Sequence, residues 1–429
     1  MSMSKAFEKR LLAVLPGIVE CFGTPCRVFD EQGMIDTGED LKLNFQDPLF
    51  GFQEFFAVKA WPNYPAIGRI MHQVLGFGFD CSSPSELMSM RWAGVPASHL
   101  MLTSNNTSDE LLRLALAEGG CILNLDDITM IDRVSKFPEL ICFRYNPGKR
   151  RSGGEFIGNP VEAKYGVRYD QIVEAYKRAI DRGARLFGLH TMIISNELNY
   201  RYMVETVRML LEVMEMVSDK LNIQFEFFNI GGGIGIPYRP KDKPFNIAGL
   251  AREAKKLLYQ FQQKHNYTPQ LFMECGRLMS GPHGVNIARV INRMSKYREY
   301  VGVDTCTMAA NPRPAIYETA YHHITVFNPE GKAKKGEEEA VDVVGSLCEN
   351  NDKFARQRLL PKVEIGDIIV QHDTGAHSPG MCSNYNGWLR IQELLLRPDG
   401  SVELIRRPET VKDLFATLSF EPKVLQLSK

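Results

Sequence analysis

Between residues 55 and 274 the chain alternates short apolar runs with amphipathic stretches, and this alternation limits the possible folds more than any other feature. Apolar runs at 55–58, 78–81, 100–103, 121–124, 140–145, 186–194, 225–230 and 271–274 read as strands. Helical spacing fills 66–75, 83–92, 109–117, 128–137, 169–182, 200–221 and 247–265, with Ser83 or Ser85 placed to cap the second of these. About eight strand–helix units in roughly 240 residues predict a closed (β/α)8 TIM barrel rather than an open doubly wound sheet. No internal repeat at a fixed period is visible.

The pattern changes after about residue 285. Segments 301–303, 315–327, 341–344, 367–371, 389–396 and 402–405 read as strands with few helices between them, which predicts a second, mostly β domain. The charge-rich stretch 332–339 reads as a solvated hairpin loop. The predicted division is a barrel over 35–280, with 1–34 and 281–429 forming the β domain, completed by the C-terminal segment. A chain of 429 residues has room for one large and one smaller domain.

Lys+Arg and Asp+Glu both total 51, so no net field draws the chain to nucleic acid or to an anionic membrane. The nine cysteines are scattered without a CxxC pair, which points to free thiols in a reducing compartment. Residues 9–15 resemble a secretory leader, but Glu8, Pro16 and the lack of a small-x-small site make an N-terminal helix the better reading. No run approaches the roughly 18 apolar residues that span a bilayer. The expected compartment is the cytoplasm, with no nucleic-acid or membrane partner and no metal ligands.

In a β/α barrel, functional groups stand at the C-terminal ends of strands. Lys59 follows the apolar Phe55-Phe56-Ala57-Val58, and partial desolvation there is expected to lower its pKa and favour imine formation. A lysine that merely snorkels at a strand end is the competing reading. Asn229-Ile230-Gly231-Gly232-Gly233-Ile234-Gly235 shifts the balance, because glycines directly after a strand let backbone N–H groups close around an anion such as phosphate. Three consecutive glycines are costly in backbone entropy, which argues against a mere tight turn. Glu274-Cys275-Gly276-Arg277 adds a carboxylate able to pair with a protonated pyridine nitrogen and a guanidinium for phosphate or carboxylate. The β region contributes Arg313 to Tyr317, Cys348-Glu349, His377 and Asn384-Tyr385-Asn386.

In this order, over nearly the whole chain, these segments resemble the fold-type III pyridoxal phosphate decarboxylases, with an alanine racemase-like barrel, and within them the diaminopimelate decarboxylase branch. Gly23-Thr24-Pro25 with Val28-Phe29-Asp30 resembles the family's opening segment, Ala57-Val58-Lys59-Ala60 its Schiff-base lysine motif, and Phe79-Asp80 with Glu86 its next strand. The resemblance implies pyridoxal 5'-phosphate bound through Lys59, with Asp80, His190, Ser195, Gly232, Gly233, Glu274, Gly276, Arg277 and Tyr385 around it. It implies substrate contacts from Arg277, Arg313, Tyr317, Glu349 and His377. It also implies a homodimer whose sites are shared, with the Cys348 thiol, supplied by the partner subunit, controlling reprotonation, and Lys59, Cys348 and Glu274 as catalytic residues.

Glu349 and Arg313 favour a substrate with a distal carboxylate, since ornithine decarboxylases carry an aspartate after the cysteine and lack this arginine. The expected reaction is decarboxylation of meso-diaminopimelate to L-lysine. The alternatives are a related carboxylated amine or amino acid, carboxynorspermidine among them, and a non-catalytic pyridoxal phosphate binder. Three positions depart from the family pattern. Met192 stands where a ring-stacking histidine is usual, His377 where a tyrosine is, and Cys275 where a proline is. His190, two residues before Met192 and expected on the same strand face, could substitute as the stacking group, or Met192 could cover the ring itself.

Overall fold

The computed structural model describes residues 3–154, 158–419 and 421. Parallel strands Phe52–Ala57, Gly78–Cys81, Leu100–Thr103, Ile122–Leu125, Leu140–Asn146, Leu186–His190, Phe227–Asn229 and Gln270–Met273 pair in that order. Gln270–Met273 then returns to Phe52–Ala57, closing the eight-stranded barrel that the alternation predicts. One side chain from most strands fills the lumen. Phe55, Met101, Ile122, Cys142, Phe227 and Phe272 form a buried cluster, with the Phe227 and Phe272 rings stacked at 4.3 Å.

The helices begin and end where local chemistry dictates. Ser83, rather than Ser85, caps Pro84–Trp92 by accepting from the Glu86 N–H. Asn199 and Asn246 cap Tyr200–Leu221 and Ile247–His265 in the same way. Both helices stop at an asparagine in the left-handed region, Asn222 at φ 54° and Asn266 at φ 59°. Two predicted helices take another form. Segment 128–137 holds only the tight turn Ile128–Arg133, and 66–75 begins as Tyr64–Ile67 and widens into the π-helical turn Gly68–Val74.

The second sheet runs Lys353–Pro361, Glu338–Val344, Glu299–Val303, Gly284–Ser295, Cys26–Asp30, Gln392–Leu396, Val402–Arg406, with Ile324–Phe327 and Ile368–Gln371 joined at Gly284–Ser295. Gly284–Ser295 and Lys353–Pro361 were not anticipated from the sequence. The expected strand at 315–327 shrinks to Ile324–Phe327, because Pro314 opens the short helix Arg313–Ile316. Most of 332–339 is exposed, as expected for a solvated loop, although Glu338 and Glu339 already belong to a strand and Glu339 pairs with Arg293 at 2.6 Å. Among the described residues no helix is long and apolar enough to cross a membrane.

Cys26–Asp30 lies inside this sheet, antiparallel to Gly284–Ser295 and parallel to Gln392–Leu396. Its Arg27 is buried and donates to Asn286 at 2.9 Å and to Glu393 at 3.3 Å. The other oxygen of Glu393 accepts from Asn63 at 2.9 Å and Trp61 at 3.3 Å, two residues just beyond Lys59. Barrel and sheet are thus joined through one buried carboxylate. Glu393→Ala leaves Arg27 buried and uncompensated, and is expected to lower the unfolding free energy by about 3–5 kcal/mol in urea titrations. An unchanged denaturation midpoint would show that Glu393 is not what joins the two parts.

Candidate active site

The strand Phe52–Ala57 ends in a single helical turn, Val58–Ala60, which turns Lys59 into a cavity of about 310 Å³ at the barrel mouth. Barrel residues Ala57, Lys59, Met192, Ser195, Glu274 and Arg277 line it from one side, and Arg313, Tyr317, His377 and Met381 of the C-terminal part from the other. Gly232, Gly233 and Gly276 complete the wall. Gly233 has φ +90°, and a Cβ on it would stand 2.4 Å from the Ile194 carbonyl, while one on Gly232 would stand 2.2 Å from that of Glu274. Only glycine keeps this stretch of wall as close to the neighbouring strands as it is.

Lys59 Nζ lies 3.4 Å from Asp80, which is buried on the next strand. Burial acts to lower the Lys59 pKa, but the carboxylates of Asp80, Glu274 and Glu86 outweigh it and raise the value. The expected depression of this pKa is therefore corrected: three nearby negative charges dominate over desolvation. Glu274 is itself surrounded. Asn229 donates to it at 2.8 Å, and His190 Nε2 stands 3.2 Å away. Burial works against ionisation of Glu274, yet His190, Lys59 and Arg144 together hold its pKa below the ordinary value. Burial and the proximity of Glu274 push Asp80 the other way. Two neighbouring carboxyls with their pKa values driven apart are the usual sign of divided roles.

Met192 lines the cavity, whereas His190 is fully buried behind Glu274. The strand ends at His190, so the alternation expected to set both side chains on one face stops there. The Met192 carbonyl accepts from Arg144 at 3.0 Å, which fixes the loop. His377 also faces the cavity, in the left-handed region at φ 63°, and its N–H donates to the Ala60 carbonyl at 2.8 Å. Burial, with Arg277, Arg313 and Lys59 nearby, holds its ring well below the usual histidine range and so neutral. Nearby, a Cβ on Gly380 would meet the Lys59 carbonyl at 2.4 Å, so the second sheet's loop rests directly on the lysine turn.

Cys348, Glu349 and Tyr385 lie elsewhere. They are exposed and do not line the cavity that holds Lys59. The Tyr385 hydroxyl donates to Glu349 at 2.7 Å, and the Cys348 N–H to Asn386 at 3.1 Å. Asp352, buried, fixes this loop by accepting from the N–H groups of Leu347 at 2.8 Å and Thr307 at 2.7 Å. The expected site residues therefore fall into two groups within one chain.

Several contributors were not singled out from the sequence. Asn229 was visible only as the residue before the glycines. Glu54, on the Lys59 strand, is fully buried and accepts from the Cys275 N–H behind the Glu274 turn. Burial pushes its carboxyl up to about 8, with Glu274 and Asp80 adding to the effect.

A family model described as "Pyridoxal-dependent decarboxylase, pyridoxal binding domain" matches residues 40–281. Protein TabA of Pseudomonas amygdali pv. tabaci is 40% identical over 426 residues, covering 98% of this chain and 97% of that protein. The diaminopimelate decarboxylase of Methanothermobacter thermautotrophicus is 32% identical, with 94% of each covered. Among solved structures, the diaminopimelate decarboxylase of M. jannaschii in co-complex with L-lysine superposes with a TM-score of 0.87 at 27% identity, over 95% of each chain.

The buried acid at Glu54 makes stability depend on pH. In the unfolded chain it titrates near 4.5 and in the folded chain near 8, so between those values the unfolded state has lost a proton that the folded state keeps. Ionisation there favours unfolding, and stability falls as pH rises. Glu54→Gln keeps an acceptor for Cys275 and removes the titration. Its stability relative to wild type is expected to improve by up to about 1.4 kcal/mol per pH unit between about pH 5 and 8 in urea titrations. A difference that stays constant over that range would contradict the assignment.

Proposed function

This chain belongs to the pyridoxal-dependent decarboxylases, and on that premise we propose that it decarboxylates meso-diaminopimelate to L-lysine and CO2. The family fixes the cofactor as pyridoxal phosphate and the activity as a decarboxylase. The residues present fit that cofactor. An amine at Lys59, a wall that glycines alone permit, Ser195 and Arg277 beside it, and an ionised carboxylate at Glu274 are the groups that an aldehyde, a phosphate and a pyridine nitrogen require. When bound, the cofactor supplies an electron sink for the pair released as the bond from Cα to the carboxylate breaks.

The chain's own residues then divide the work. Lys59 would hold the cofactor covalently through its amine. Glu274, aligned by Asn229 and His190, would keep a proton on the ring nitrogen. Gly232, Gly233, Gly276, Ser195 and Arg277 would hold the phosphate, and Met192 would stand beside the ring. Asp80 keeps the lysine amine oriented. Arg313 and Tyr317, with Arg277 and His377 alongside, take the distal carboxylate of the substrate. The observation that carries the substrate reading is Arg313: it is buried at the cavity wall, where the Tyr238 ring and His322 hold it. A buried guanidinium so placed favours a substrate that brings its own anion.

The separation of Cys348, Glu349 and Tyr385 from the Lys59 cavity supports a homodimer in which each subunit completes its partner's site. Cys348 then returns the proton to Cα, while Glu349 and Tyr385 contact the distal amine and the cofactor. Domain limits of 35–280 for the barrel, and of 1–34 with 281–429 for the β part, accord with the way the strands divide between the two sheets. A cytoplasmic setting accords with nine unpaired cysteines. The higher identity to TabA than to the diaminopimelate decarboxylases favours a second reading, a related carboxylated amino acid from another pathway.

Borohydride is expected to attach the cofactor to wild-type protein at Lys59 and to leave Lys59→Ala unlabelled, as read by mass spectrometry of the digest. CO2 is expected from meso-diaminopimelate and not from lysine or ornithine, with Arg313→Leu lowering kcat/KM about a hundredfold. Release from ornithine but not diaminopimelate would overturn the substrate assignment. Mixing inactive Lys59→Ala with inactive Cys348→Ala subunits is expected to restore about one quarter of wild-type activity through heterodimers with one intact site. No recovery would sink the shared-site arrangement.

A further inference from the structure

Arg277 and Arg313 are both aimed by neutral groups. Arg277 Nη1 donates to the Tyr238 hydroxyl at 2.6 Å. The Arg313 guanidinium lies over the Tyr238 ring, 4.7 Å from its centre. Arg313 Nη1 also stands 3.4 Å from Nε2 of His322, a long hydrogen bond. The second imidazole nitrogen, Nδ1, lies 2.9 Å from the His372 carbonyl oxygen. A carbonyl oxygen can only accept, so Nδ1 carries the proton, and Nε2 of the neutral ring turns its lone pair to Arg313. Burial, followed by the charges of Arg313, Arg277 and Arg358, holds His322 well below the usual histidine range and preserves that state. The Tyr238 and His322 rings meet edge to face at 5.1 Å, and both residues are buried.

Buried arginines are ordinarily paired with a carboxylate. Such a partner would aim the guanidinium but cancel its charge, and an arriving anion would have to displace it. A phenol and a neutral imidazole aim it and leave the charge intact. We propose that Tyr238 and His322 are positioning residues that aim Arg313, with Arg277 alongside, at the distal carboxylate of the substrate without neutralising it, and so set the preference for a dicarboxylic substrate. This rests on the substrate reading above.

The probe is pimelate, the dicarboxylate with the carbon skeleton of diaminopimelate and no amine, titrated calorimetrically into holoenzyme. His322→Leu, which removes the acceptor, is expected to weaken pimelate about tenfold, and Tyr238→Phe to do likewise. His322→Gln, whose amide oxygen can accept in place of Nε2, restores affinity to within about threefold. His322→Glu aims Arg313 but neutralises it, so it weakens pimelate at least as much as the leucine variant. With meso-diaminopimelate the same losses fall on KM, while kcat stays within about threefold.

Wild-type affinity in both His322→Glu and Tyr238→Phe would overturn the proposal, as would a glutamine variant as weak as the leucine one. If His322→Leu fails to fold, Tyr238→Phe and His322→Glu decide alone. Wild type that binds pimelate, with the variants behaving as described, but releases no CO2 from meso-diaminopimelate overturns the substrate reading and leaves this inference standing. Normal turnover with KM unmoved in the variants does the reverse, and wild type that neither binds pimelate nor turns over overturns both.

Discussion

The carboxylate of Glu393 accepts from Arg27, Asn63 and Trp61 at once, and through it the segment just after the Lys59 turn is tied to the second sheet. Most of the site's geometry depends on this junction. The cavity has one wall from the barrel and another from Arg313, Tyr317 and His377, so its width is set by how the two sheets are held together. Two further contacts reinforce the junction from above, the His377 N–H on the Ala60 carbonyl and the close approach of Gly380 to the carbonyl of Lys59. A site assembled from two bodies needs such stiffness, because misplacement by an ångström costs orders of magnitude in rate.

Charge around the cavity falls into two clusters. One is of carboxylates, where Asp80, Glu274 and Glu54 lie close enough to influence one another. Guanidiniums gather at Arg277 and Arg313, with neutral tyrosine and histidine between them. The carboxylates favour the charged form of Lys59, while the two arginines present positive charge to the same cavity. A ligand carrying cation and anion at opposite ends is oriented by this division before any single contact forms.

Much of this was legible in the sequence for a local reason. Lys59, the glycines and Glu274 each follow a short apolar strand, and in a parallel barrel the residue after the strand faces the mouth. What could not be read is what depends on distant partners. Gly284–Ser295 escaped notice because Asn286 and Arg289 interrupt its apolar run, and Asn286 is buried only because it meets Arg27 from the other end of the chain. His322 looks like any histidine until the His372 carbonyl assigns its proton. The pKa of Lys59 was misjudged because the sequence gives its burial but not the three carboxylates converging on it. His190 and Met192 could not be told apart because the end of a strand is not visible to within two residues.

The strand Cys26–Asp30 lies between neighbours that come late in the chain, and its Arg27 meets Glu393 across 366 positions. On the ribosome this strand emerges early and then waits on the order of tens of seconds for its parallel neighbour to be made. Until Gly284–Ser295 is made both of its edges are open to any other extended segment, including the same strand of a neighbouring nascent chain, and one edge stays open until Gln392–Leu396 follows. All eight barrel strands are made before Arg313, Tyr317 and His377, so the second wall of the cavity is the later part to be synthesised.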